Sequence, residues 1–94
     1  MKMGLHRMSI AVLLSGKRMA EKTLTVHADE DTLSCLAQIY YNLGVQDPQY
    51  RPLVEKCYRI FRELAKKGTH KKMYADLRDQ ARAAMKEAAD RSKE

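Results

Sequence analysis

The sequence predicts a small α+β protein, mostly helical, in which an N-terminal strand or short β-hairpin precedes three helices. Three observations predict it. Residues 22–28 alternate polar and apolar side chains, the period of a half-exposed strand. Three later stretches repeat apolar residues at spacings of three and four, the period of a helix face. The chain has 94 residues, which hold one compact domain and little more, so 1–94 reads as a single domain. Its 45% hydrophobic residues supply enough material for a core and exclude a strongly disordered chain. A domain this short buries only about 60–68% of its unfolded surface. A homodimer that extends the core is therefore expected.

Residues 1–21 read as an N-terminal extension or a first strand. Lys2, His6 and Arg7 precede the apolar run Ile10 to Leu14, an order shared with export signals. That run is shorter than the ~7–15 residues of a signal's apolar region. It is also far below the ~20 needed to span a bilayer. Residues 9–14 read instead as a strand with buried faces, and Ser15-Gly16-Lys17-Arg18 as a turn. Met19 reads equally as a start, which would leave the first 18 residues as an upstream extension. A cytoplasmic protein without membrane attachment is expected, and two cysteines without a disulfide framework agree with a reducing compartment.

The segment 22–68 reads as a strand-helix-helix core. In 22–28, Leu24, Val26 and Ala28 point one way and Thr23, Thr25 and His27 the other. Asp29-Glu30-Asp31-Thr32 starts the first helix, because acidic residues suit the positive end of the macrodipole and Asp or Thr caps free N–H groups. Leu33, Leu36, Ile39, Tyr40 and Leu43 follow at helical spacing, and Gly44 ends the helix as a left-handed cap. A loop with Pro48 leads to a second helix that starts near Tyr50 to Pro52. Leu53, Val54, Cys57, Tyr58, Phe61, Leu64 and Ala65 share its apolar face, and Gly68 stops it. Thr69 is a candidate cap for the third helix, within 69–94, with Met73, Leu77, Ala81, Ala84 and Ala88 inward.

Nothing in the sequence reads as an enzyme, and no cofactor is implied. No Cys and His cluster has metal-ligand spacing, His27 has no evident partner, and neither Cys35 nor Cys57 has a base placed by the pattern. The segment from Thr23 to Gly44 resembles the ribbon-helix-helix family of DNA-binding proteins. Leu24 and Val26 match the inward strand positions, Leu33, Leu36, Ile39 and Leu43 the helix positions, and Gly44 the turn. The resemblance covers roughly residues 22–65. The loop Val45 to Arg51 is about three residues longer than the family's, and Pro48-Gln49 stands where the family has a small hydroxyl residue. It implies a dimer whose paired strands enter the major groove, with Thr23, Thr25 and His27 toward the bases and Lys22 and Lys17-Arg18 toward phosphate.

Charge points the same way. The formal net charge is +6. Lys56, Arg59, Arg62 and Lys66 lie on the polar side of the second helix. Lys66, Lys67, Lys71 and Lys72 form a basic knot around the following turn, with His70 between them. Such a knot attracts polyanions by counterion release. The function expected is a small DNA-binding regulator or accessory factor whose site residues are Lys22, Thr23, Thr25, His27, Lys66, Lys67, Lys71 and Lys72. The alternative is a helical module that binds or inhibits another protein. Leu36 to Gly44 also looks like the first helix of a tetratricopeptide repeat, with Ala37, Tyr40, Tyr41 and Gly44 at its small and aromatic positions. No second copy follows, and a lone repeat cannot bury its own face.

Overall fold

A computed structural model describes residues 9–26 and 29–92. They form four α-helices: α1 (Ile10–Val26), α2 (Glu30–Gln46), α3 (Pro52–Lys67) and α4 (Lys71–Ser92). A single 3-10 turn, Pro48–Tyr50, lies between α2 and α3. There is no strand among the described residues. The expected α+β class, with its N-terminal strand or hairpin, is therefore corrected to all-α. The edge that was to pair two chains is likewise absent among these residues.

The correction has a physical cause. Residues 9–14, 15–18 and 22–26, read as strand, turn and strand, make one helix whose inward side falls at Leu13, Gly16, Lys17, Ala20 and Leu24. That spacing is the 3.6-residue period, and Leu13 is almost fully buried. The alternation at 22–28 was read from Thr and Val, whose strand preference is weak and yields to burial. Within the helix, the Thr23 hydroxyl donates to the Met19 carbonyl at 2.9 Å and that of Thr25 to the Lys22 carbonyl at 2.7 Å. Gly16 sits mid-helix in close approach to α2, where a Cβ would lie 3.2 Å from the Ile39 side-chain tip.

α1 packs on α2, α2 on α3 and α3 on α4. The short connection 68–70 makes α3 and α4 an antiparallel hairpin. The core joins Leu36, Ala37 and Tyr40 of α2 to Val54, Cys57, Phe61 and Leu64 of α3 and to Tyr74, Leu77 and Ala81 of α4. The Phe61 and Tyr74 rings stack with centroids 6.1 Å apart. Asp29 caps α2 as expected, its carboxylate accepting from the Thr32 N–H at 2.7 Å, and Pro52 opens α3. α2 runs past Gly44 to Gln46, so Gly44 is not its cap. Gly44 is a close-approach site, where a Cβ would collide with Val54. Gly68 does stop α3, with φ −76° and ψ 172°, so it is not left-handed. A Cβ there would lie 2.6 Å from the Leu64 carbonyl oxygen and 2.7 Å from the Tyr74 ring.

Candidate nucleic-acid interface

Charge is divided unevenly between the two halves of the fold. Residues 51–92 hold twelve Lys and Arg against six Asp and Glu, whereas 9–50 hold three against five. The α3–α4 hairpin thus carries the positive charge. On α3 the apolar positions Val54, Cys57, Phe61 and Leu64 face inward, which leaves Lys56, Arg59, Arg62 and Lys66 exposed. Some of this charge is compensated. Arg59 pairs with Glu55 at 2.6 Å, Arg78 with Asp79 at 3.1 Å, and Glu63 serves Lys67 at 3.9 Å and Arg62 at 4.0 Å. Exposed pairs of this kind contribute little to stability.

At the turn, Lys66, Lys67, Lys71 and Lys72 are brought together as expected, all exposed. Among the described residues, Lys66, Lys71 and Lys72 face no carboxylate within ion-pair distance. Lys71 and Lys72 also open α4, whose first turn contains no acidic residue. Cations there oppose the positive end of the macrodipole, and an anion would relieve that repulsion.

A single carboxylate fixes this turn. Glu30, in the first turn of α2, accepts the Thr69 N–H at 2.9 Å, the Thr69 hydroxyl at 2.6 Å and the Tyr74 phenol at 2.8 Å. The Thr69 hydroxyl, read as a cap for α4, is thus committed to α2. These bonds, the Thr69 hydroxyl first, hold the Glu30 carboxyl below the usual carboxylate range. Burial first, and then Glu30, pushes the Tyr74 phenol up to about 12. Because the folded-state pKa of Glu30 is depressed, its contribution is complete above the ordinary Glu value and is lost as pH falls through the folded one. Glu30→Ala is expected to lower the melting temperature at neutral pH. The gap to the parent should narrow as the pH falls below the ordinary Glu range. Equal melting at neutral pH would show that the latch holds nothing.

Two turns before Lys66, Tyr58 sits among arginines. The Arg62 guanidinium lies 5.8 Å from its ring centroid and that of Arg82 5.7 Å. Arg82 also donates to the phenol oxygen at 3.2 Å. That bond, with the fields of Arg82, Arg62 and Arg78, holds the phenol below its ordinary range. The antiparallel hairpin sets 58 opposite 82 and 62 opposite 78, so two i,i+4 pairs from different helices converge. The sequence reading placed Tyr58 on the apolar face and did not single out Arg78 or Arg82. The signal was present in the spacing, but it becomes legible only when the hairpin's turn is fixed at 68–70.

The N-terminal site residues fare differently. Lys22, Thr23 and Thr25 are exposed on α1, where helical rotation spreads them around the axis instead of aligning them on one face. The paired-strand arrangement that aimed Thr23 and Thr25 at bases is thereby corrected. His27 lies outside the described residues. No group of three His, Cys, Asp or Glu able to hold a metal occurs among the described residues. No described helix is long and apolar enough to cross a membrane.

Two open grooves flank the core. One, of about 910 Å³, runs between the end of α2 and the second half of α4, past Tyr41, Val45, Ala84 and Ala88. The other, of about 620 Å³, lies between α1, α2 and the start of α4, past Val12, Cys35, Ile39 and Met73. What the fold and these surfaces define is a small all-α protein with a strongly basic terminal hairpin. No protein-family model, no curated protein and no solved structure matches the chain.

Proposed function

We propose that this protein binds DNA through the phosphate backbone, using the α3–α4 hairpin. The observation that carries the reading is the twofold excess of cations over anions in residues 51–92, gathered at one turn as Lys66, Lys67, Lys71 and Lys72. Each phosphate neutralised releases condensed counterions, so such a surface gains affinity in proportion to the contacts it makes. The Glu30 latch holds the turn against α2, which reduces the ordering cost of binding. Thr23 and Thr25 have no part in this reading, because their hydroxyls are bonded to their own helix.

The test replaces Lys66, Lys67, Lys71 and Lys72 with Gln. All four are exposed and Gln is a comparable helix former, so the fold should be kept. Affinity for a DNA duplex is expected to fall, and the slope of log K against log salt to flatten by about 3–4 if all four contact phosphate. Unchanged affinity and slope would reduce the four lysines to a solvated surface. The second reading, a helical module that binds another protein, is favoured by one observation. Val45 and Val12 are about half exposed, each at the wall of an open groove.

A further inference from the structure

We infer that the Tyr58–Arg62–Arg82 cluster is a stacking platform for unpaired bases, so that the nucleic acid held by the hairpin is single-stranded. The inference rests on the nucleic-acid reading of the same hairpin and narrows its ligand. A surface that sees phosphate alone needs cations and no ring. Here a tyrosine ring is placed among guanidiniums drawn from two helices, within 6 Å of Arg62 on its own helix and of Arg82 across the hairpin. Tyrosine rings and guanidinium planes are the groups on which bases stack. A duplex covers its base faces and offers only edges and phosphates, so it cannot use such a platform.

Tyr58 packs at the edge of the core, and its phenol is held differently from those of the two buried tyrosines. The Tyr40 phenol donates to Glu21 at 2.6 Å and the Tyr74 phenol to Glu30 at 2.8 Å, and both residues are buried. Tyr58 is partly exposed, and its phenol accepts from an arginine. Arg82 meets no carboxylate within ion-pair distance among the described residues, so its remaining donors are open to a phosphate. From Tyr58 to Lys66 is about 12 Å along α3. That spacing is short enough for one strand to span both the platform and the lysine knot.

The experiment titrates the full chain against fluorescently labelled oligodeoxythymidine, oligouridine and a DNA duplex of one length, at matched salt. Tighter binding of either single strand than of the duplex is expected. Comparison of the two single strands then distinguishes DNA from RNA as the source. Tyr58→Leu should weaken single-strand binding by at least about five-fold. The salt slope should stay the same, because no charge is removed. Tyr58→Phe, which keeps the ring, should retain most of the affinity, and a thermal melt of each variant confirms that the fold is kept. A duplex bound as tightly as the single strands overturns the platform, as does Tyr58→Leu binding like the parent. In that case a lysine variant that still weakens binding leaves the backbone reading standing. If the parent binds none of the three, the backbone reading falls and the platform with it.

Discussion

Phe61→Ala is expected to bring the protein to the edge of unfolding. Phe61 is fully buried in the middle of α3, where its ring meets Tyr74 of α4 and the α2 side of the core. No other phenylalanine and no tryptophan can take up its volume. Truncation of a buried Phe costs about 3–5 kcal/mol, part of it lost transfer energy and part the cavity left behind. Domains are stable by only about 5–15 kcal/mol in total. At about 4–8 °C per kcal/mol for a domain of this size, the melting temperature should fall by more than about 12 °C. In urea, the midpoint should fall with little change in slope, since the surface exposed on unfolding is nearly the same. A fall of under about 3 °C would mean that α3 is not the centre of the core.

Three of the four helices were legible in the sequence because local signals and burial agree there. In α3, the apolar positions 54, 57, 61 and 64, the Pro52 start and the Gly68 stop all specify one helix. In α2, the Asp29 cap and the Leu36, Tyr40 and Leu43 stripe do the same. The end of α2 was misread, because Gly44 answers to Val54 and not to a left-handed cap, and so was the cap of α4, because Thr69 is committed to Glu30. α1 was illegible for the opposite reason. Its sequence carries a turn-like Ser-Gly-Lys-Arg and a β-rich Thr-Leu-Thr-Val, while its helical face is marked by few strong residues. That face consists of Leu13, Ala20 and Leu24 with Gly16 and Lys17 between them. Gly16 looks like punctuation in the sequence, yet in the fold it is a mid-helix close approach to Ile39. Such a meaning depends on a neighbour that the sequence does not place.

The same division runs through the site. The lysine knot could be read because its four members lie within seven residues of one another, so any turn there gathers them. The arginines around Tyr58 could not, because Arg82 reaches it from 24 residues away through an antiparallel pairing. Local charge density is a property of sequence. Convergence across a hairpin requires the register.

The helical reading of α1 is tested by two prolines with opposite expected effects. Ser9 accepts the Val12 N–H on its hydroxyl at 3.2 Å and the Leu13 N–H on its carbonyl at 3.0 Å, which makes Ile10 the first helical residue. Proline is tolerated at that position because its missing N–H has no intrahelical partner. Ile10→Pro should therefore melt close to the parent. Ala20 lies in the interior of α1 and packs against the core. Proline there removes a helical hydrogen bond and clashes with the preceding turn, at a cost of about 3 kcal/mol or more. The loss should appear in far-ultraviolet circular dichroism and in the melting temperature. It should also appear at Tyr40, whose phenol donates to Glu21 of α1 at 2.6 Å. Burial first and then Glu21 hold that phenol far above its ordinary range, so release of α1 should bring one tyrosine back down in a spectrophotometric titration. Were residues 9–14 a strand and 15–18 a turn, the order would invert. Ile10→Pro would then remove a ladder hydrogen bond, and Ala20→Pro, lying between the turn and the next strand, would be the mild variant.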